Sequence, residues 1–395
     1  MPSINSCPRA LLEADGGGEA GPMRILHVVP FLGSMFGGTT TVVHKMSSQL
    51  ARRGHDVTVA TTDYHWDGGA DAGYEVLPFH TRANLGLMIY TPGMGRWLSK
   101  NVQDFDLVHM HTYRSHQNIM ARRAAVSFDV PYVLQAHGGV LPSFQKRALK
   151  ELFDRAYGGR IIADASRAVA VSAMESQQYI EMGVPPGNIE LIPNGIDMEE
   201  HRNLPLGSCF RERHDIPNDQ MLLLFLGRID RIKGLDMLVD AFDRIAHERR
   251  ECRLVLAGPD FGYRATIERR VRDLGLRGRV LFTGELRGQE KLEAMAAADV
   301  CVVPSRFDIF SMTALEAMAC GVPLIVTDRC GIAEMVRDVA MVVGYDHELM
   351  ADAMVRMLDD EDLRRDFGMA GRKRAQETFD WPAIIGRMED MYRSL

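Results

Sequence analysis

The sequence predicts an α/β protein of two domains, each a parallel sheet flanked by helices. Three observations predict it. Short apolar runs alternate with amphipathic helical stretches along almost the whole chain, as in stacked βαβ units. At 395 residues the chain exceeds what one hydrophobic core ordinarily serves. A cluster of turn formers (Asn194, Gly195, Pro205, Gly207 and Pro217) interrupts the pattern near its middle and marks a boundary at about 195–215.

In the first half, strands are expected at 24–29, 56–61, 107–110, 132–136 and 168–171, with helices near 40–53, 114–127, 144–157 and 173–182. Segment 63–105 is less regular; a strand at 75–78 and a mobile helical portion at 87–102 are expected there. The second half repeats the architecture. Its strands read at 221–226, 253–257, 279–282, 299–303 and 323–326, and its helices near 234–249, 264–275, 288–297, 312–319, 331–336, 347–358 and 360–376. A short amphipathic helix follows Phe379-Asp-Trp-Pro382 and runs to Leu395. Domains are therefore expected at 23–200 and 210–378, with 379–395 as a tail. Residues 1–22 are rich in Gly, Ala and Glu and lack the apolar core of a signal peptide. They read as a disordered extension, or as residues ahead of a true start at Met23.

Composition narrows the class. Hydrophobic content of 46% and charged content of 25% are those of a soluble globular chain. A net charge of −7 argues against a broad nucleic-acid surface. No apolar run is long enough to span a bilayer. The six cysteines form no C-x-x-C and no zinc-spaced cluster with histidine; a reducing, cytoplasmic setting fits them.

The most informative stretch is Asp308-Ile-Phe-Ser-Met-Thr-Ala-Leu-Glu316, which runs into Gly321 and Pro323. It sets one carboxylate in a loop and a second about one turn inside a helix. Helix N-terminal amides such as those of Phe310, Ser311 and Met312 hold phosphate, and carboxylates hold hydroxyls, so the pattern suits a nucleotide sugar. Two further segments share this logic. Leu222-Leu-Leu-Phe-Leu-Gly227 is a buried strand leading to Arg228 and Lys233, and Ile192-Pro-Asn-Gly-Ile-Asp197 is a tight turn between the halves.

Together, in order and spacing, these segments resemble the retaining glycosyltransferases of the GT-B fold, family 4, across nearly all of 23–395. The resemblance implies two Rossmann-like domains facing each other across a cleft, with the tail helix crossing back to the first. It implies Arg228 and Lys233 on the donor diphosphate, Glu316 on the ribose, Asp308 and His137 near the donor sugar, and Leu286 beside the base. Gly37 and Gly38, in the loop Gly33-Ser-Met-Phe-Gly-Gly38, would border the phosphate, with Thr39 as a helix cap. Asp308 departs from the family pattern, which has Glu, and Ser311 stands where most relatives have Gly. Either these retune the donor sugar, with Ser311 as a cap or extra hydrogen-bonding group, or they weaken catalysis.

Some residues keep bland readings beside functional ones. Asp106-Leu-Val-His-Met-His111 puts two histidines on one side of a strand, but no third metal ligand is evident nearby; His109 reads as structural and His111 as facing the cleft. Asn194 and Gly195 read as a structural turn near the hinge. The helix at 144–157 carries Lys146, Arg147, Lys150 and Arg155; it is either an ordinary solvated face or a membrane-docking face used to reach lipid-linked acceptors. The expected activity is transfer of a hexosyl group from a UDP- or GDP-linked sugar to a saccharide or lipid-linked acceptor, without metal or other cofactor, in polysaccharide or glycoconjugate synthesis. A GT-B epimerase and a catalytically weak scaffold subunit remain as rivals.

Overall fold

The computed structural model describes residues 21–33, 37–68, 73–84, 88–141 and 147–395. The expectations for residues 1–20, for the middle of the glycine-rich loop at 34–36 and for 142–146, including Lys146, fall outside these residues.

The first lobe contains β1 (Arg24–Val28), α1 (Gly38–Arg52), β2 (Asp56–Thr62), β3 (Glu75–Phe79), β4 (Ala83–Asn84), β5 (Ile89–Tyr90), α2 (Pro92–Asn101), β6 (Leu107–His111), α3 (His116–Ser127), β7 (Tyr132–Gln135), α4 (Arg147–Phe153), α5 (Gly159–Ala163), β8 (Arg167–Ala170), α6 (Ala173–Glu181) and β9 (Ile189–Leu191). Seven strands make one parallel sheet in the order β3-β2-β1-β6-β7-β8-β9. Two expectations are corrected here. The segment after β3 opens with a small antiparallel pair, β4–β5, and its helix starts only at Pro92, whose fixed φ suits a first helical position. The helix expected at 144–157 passes from α4 into a π-turn at Asp154–Gly158 and then α5.

The second lobe contains α7 (Gly207–Arg213), β10 (Met221–Leu226), α8 (Leu235–Ala246), β11 (Cys252–Ala257), α9 (Arg264–Asp273), β12 (Val280–Gly284), α10 (Gly288–Ala297), β13 (Val300–Val303), α11 (Met312–Cys320), β14 (Leu324–Thr327), α12 (Ala333–Val336), β15 (Met341–Val343), α13 (His347–Asp359), α14 (Glu361–Arg374) and α15 (Trp381–Arg393). Its sheet is parallel, in the order β12-β11-β10-β13-β14-β15. Strands β10, β11 and β13 are almost wholly buried, as expected for a sheet covered on both faces. Polar caps punctuate the helices: Ser115, Ser172, Asp346 and Asp360 each accept a first-turn amide. Helix α7 was unforeseen. Its Phe210 is fully buried in a cluster with Ala294 and Met295 of α10, and a Cβ on Gly207 would meet the Ala296 carbonyl at 2.5 Å. Strands β9 and β15, of three residues each, also carry too little periodicity to be recognised.

Helix α15 belongs to the second half by sequence and packs on the first lobe. Trp381, Ile384, Ile385, Met388, Met391 and Tyr392 share one core cluster with Ile25, Val42, Met46 and Leu50. Glu389 accepts from Arg53 at 2.7 Å and bonds His55 at 2.9 Å. The chain is pinned where it crosses: Ile196 donates to the Phe379 carbonyl and Trp381 donates back to Ile196.

Candidate functional site

The loops that follow β1, β7 and β8 face those that follow β10, β11, β12 and β13. The C-terminal edges of the two sheets thus oppose each other, the edge at which parallel α/β sheets bind ligands. Between them lies a cleft of about 760 Å³. It is lined by eleven candidates drawn from the sequence: Gly37, Gly38, His137, Arg228, Lys233, Leu286, Asp308, Phe310, Ser311, Met312 and Glu316. The lobes nearly touch across it. A Cβ on Gly138 would lie 3.2 Å from Ile309, and one on Gly38 would lie 3.7 Å from Met312.

Two helix N-termini converge here, those of α1 and α11. Their first-turn amides have no intrahelical partner and their dipoles favour an anion. Helix α11 is capped by Ser311, whose Oγ accepts from the Ala314 amide at 3.3 Å, and it ends at Gly321 in the left-handed conformation. Helix α1 begins at Gly38 behind Gly37, which has φ of 70°. Thr39 therefore lies inside the first turn and is not the cap expected from the sequence. Phe310 lines the cleft beside this helix start, with its side chain largely buried and its ring 6.4 Å from that of Phe379.

Arg228 is exposed at the end of β10, its guanidinium 5.0 Å above the ring of Phe261. Lys233 sits in a short 3₁₀ turn, Arg231–Lys233, capped by Asp230. The next residue, Gly234, has φ of 69°, and a Cβ there would meet the Pro304 carbonyl at 2.0 Å; only glycine permits that approach. Lys233 donates to Asp308 at 2.6 Å. Glu316 accepts from Lys291 at 2.8 Å. Each carboxylate of the Asp308/Glu316 pair thus has its own lysine inside the cleft, which satisfies the need of a half-buried charge for a partner.

His137 follows β7 with φ of 52°, an uncommon conformation of the kind that clusters at ligand sites. Glu175 holds the turn, accepting from the Gly138 amide at 2.6 Å and the Val171 amide at 2.9 Å. Burial raises the Glu175 carboxyl to about 7, against the pull of those two amides.

Two histidine expectations are corrected. His111 does not face the cleft. It shares a sheet face with His109 by the two-residue period of a strand, and that face is covered, leaving both fully buried. A third imidazole does lie near them: His27 of β1 is the register partner of His109, and the three offer nitrogens within 4.8 Å of one another. Sequence separation concealed it. Four other cleft residues escaped recognition or were read otherwise. Phe261 is 52% exposed in a loop with no motif of its own. Lys291 finds Glu316 from 25 residues away. Arg287 follows Leu286 in the same loop. Asn194, read as a turn residue, lines the cleft with its Oδ1 buried and without a partner among the described residues; its position between the halves was the available signal.

Comparison with known proteins agrees with this geometry. The family described as Glycosyltransferase Family 4 matches residues 36–200, and Glycosyl transferases group 1 matches residues 209–374. A D-inositol 3-phosphate glycosyltransferase of Kineococcus radiotolerans is 30% identical over 90% of each chain. The mannosylfructose-phosphate synthase of Agrobacterium fabrum is 26% identical over 76% of this chain and 71% of its own. The Anabaena HepE structure with UDP and glucose superposes with a TM-score of 0.77 at 20% identity, over 94% of this chain and all of that one, and so shares the fold. Two facing parallel-sheet lobes, the crossing tail helix and these matches establish that the chain belongs to glycosyltransferase family 4, with the GT-B fold.

Proposed function

We propose that this protein is a retaining, metal-independent hexosyltransferase that draws on a UDP- or GDP-linked sugar. The observation that carries this reading is the convergence of Arg228, Lys233 and the α11 N-terminus on one cleft that also holds Glu316 and His137. Departure of a diphosphate builds negative charge on its oxygens, and preorganised positive groups lower that barrier. Arg228, Lys233 and the first-turn amides of α11 would take this role, and Glu316 would accept from the ribose hydroxyls. The names of solved neighbours with UDP and UDP-glucose support a nucleotide-sugar donor. Retention follows if the acceptor attacks the face the diphosphate leaves, with a phosphate oxygen taking its proton.

The acceptor would enter from the first lobe. The described residues lining the cleft on that side are Gly37, Gly38, Thr39, Thr41, Val42, His137, Val171 and Asn194: hydroxyls, amides and an imidazole, without a lysine or arginine. That lining favours a neutral hydroxyl-rich saccharide, free or lipid-linked. No described helix is long and apolar enough to cross a membrane. Helix α4 leaves Leu149 and Leu152 exposed beside Arg147 and Lys150, and this apolar–basic mixture favours peripheral docking over a merely solvated face. The described cysteines are free, four of them buried, which supports a cytoplasmic setting. We further take 195–215 as the hinge between an acceptor domain and a donor domain.

The test is to incubate the enzyme with UDP- and GDP-hexoses and an acceptor panel, with and without EDTA, and to read nucleotide release and product anomeric configuration. Transfer with retention that survives EDTA, and falls at least a hundredfold in Arg228→Ala and Lys233→Ala, is expected. Inverted product, loss of transfer in EDTA, or a nucleotide-sugar epimer in place of transfer would overturn the reading.

A further inference from the structure

Three histidines form a chain of rings from the core of the first lobe to the cleft. His27 Nδ1 lies 2.7 Å from His111 Nε2, and His111 Nδ1 lies 3.0 Å from His137 Nε2. The ring planes are nearly parallel, 17° and 16° apart, with centroids 5.0 Å and 5.3 Å apart. His27 and His111 are fully buried, and His137 lines the cleft. His137 Nδ1 is the nitrogen left for a ligand, since Nε2 is used in the chain. Burial lowers His27 to about 3 and His137 to about 4, and puts His111 well below its ordinary value, so all three are neutral at physiological pH.

A neutral imidazole carries one N–H and one lone pair. Each of the two contacts needs one proton, so the chain has only two proton orders. In the outward order, His27 Nδ1–H donates to His111 Nε2, His111 Nδ1–H donates to His137 Nε2, and His137 Nδ1–H faces the cleft. In the inward order every bond is reversed, and His137 turns a bare lone pair to the cleft. The orders differ at His27 Nε2, which is buried without a partner among the described residues: it is a lone pair in the first and an N–H in the second. Orphaned buried N–H groups are the rarer defect. The outward order also carries its free N–H to the one end where oxygen ligands can accept it.

We propose that His27 is a positioning residue that acts through His111 to fix His137 as the Nδ1–H tautomer. His137 then meets the donor sugar as a hydrogen-bond donor and is unavailable as a general base, which leaves the acceptor proton to the departing phosphate. This rests on the reading of the cleft as the donor site. A divalent ion shared by His27, His109 and His111 would break the chain, because His111 has both nitrogens engaged. It would also bring uncompensated charge among imidazoles, with no carboxylate in the group.

The experiment is histidine-¹⁵N NMR of the protein with UDP, with resonances assigned from single His→Phe variants, alongside kinetics. The wild type is expected to show His137 protonated at Nδ1. His27→Phe keeps an aromatic ring but removes the donor; it should shift His137 toward the Nε2–H form and lower kcat about tenfold while UDP affinity stays within twofold. His27→Asn, whose amide N–H stands where Nδ1–H stood, should recover much of both. A wild-type Nε2–H tautomer overturns the proposal, and so does a His27→Phe enzyme with unchanged tautomer and kcat. Zn²⁺ that binds and shifts the His27, His109 and His111 signals together overturns it as well. If His27→Phe does not fold, the wild-type spectrum alone decides. Should Arg228→Ala leave UDP binding intact, the donor-site reading fails while the tautomer result stands or falls separately.

Discussion

Lys233 Nζ donates to Asp308 Oδ2 across 2.6 Å, tying the loop after β10 to the loop after β13. Asp308 is the position where the resemblance to the family implies Glu, and its side chain here reaches the lysine proposed to hold the diphosphate. An incoming phosphate and the Asp308 carboxylate would compete for one ammonium. Asp308→Asn should therefore tighten binding of a free nucleoside diphosphate about three- to tenfold, or about 0.7–1.4 kcal/mol, while slowing transfer by losing a sugar contact. Calorimetric titration with UDP and GDP beside initial rates measures both. Weaker nucleotide binding in the variant would show that the pair orders Lys233 for the phosphate and does not withhold it.

Phe261 lies under the Arg228 guanidinium at 5.0 Å. The ring holds a flexible, exposed cation over the cleft, and such contacts contribute about 0.5–1 kcal/mol at exposed sites. Phe261→Ala should raise the Kd for nucleotide about two- to fivefold and leave the melting temperature nearly unchanged. Phe261→Tyr should behave as wild type. Equal loss in both would point to shape at that position and away from the cation.

The motif-bearing half of the site was legible because it is local. Arg228, Lys233, Asp308, Ser311 and Glu316 lie within two segments whose strand, turn and helix signals are strong, and the structure brings them to one cleft. What sequence could not reveal depends on contacts between distant segments. Lys291 meets Glu316, Phe261 meets Arg228, and β1 adds His27 to a pair of histidines on β6; no local period encodes such meetings. His111 was misread for the same reason. Alternation correctly put it beside His109, but which face is covered depends on the tail helix, whose Tyr392 bonds His109 at 2.6 Å from the far end of the chain. Among the folded elements, α7, β9 and β15 were missed because each is short and owes its order to a neighbour.

The crossing of the tail makes a stability prediction. Glu389 is nearly buried and bonded to both Arg53 and His55. Its removal leaves His55 buried without that partner, and breaking such pairs is costly. Glu389→Ala should lower stability by about 2 kcal/mol and make α15 the first segment to lose hydrogen-exchange protection. A companion change at Gly195, where a Cβ would meet the Trp381 ring at 2.5 Å, should act on the same crossing. Gly195→Ala is expected to lower kcat through the proposed hinge as well as stability. A uniform loss of protection over both lobes in either variant would argue that the tail is not a separate unit.

Glu175 yields the least intuitive prediction. Its carboxyl sits at about 7 in the folded protein, raised by burial from an ordinary value of 4.5. Between those values the folded state keeps a proton that the unfolded chain has released, so this group's contribution to stability falls as pH rises through that window. At 1.36 kcal/mol per unit the change is of the order of 3 kcal/mol. Glutamine is the isostere of the neutral acid and does not titrate. Glu175→Gln should accordingly start below the wild type near pH 5, because its NH2 group cannot accept from one of the two amides that the two carboxyl oxygens serve, and should gain on it as pH rises to 8. Thermal unfolding of both proteins from pH 5 to 8 reads the difference directly, free of the other titrating groups they share. A variant less stable than the wild type by the same margin at pH 5 and pH 8 would mean that the Gly138 and Val171 amides outweigh burial. Glu175 would then be held as a charged clamp on the His137 turn.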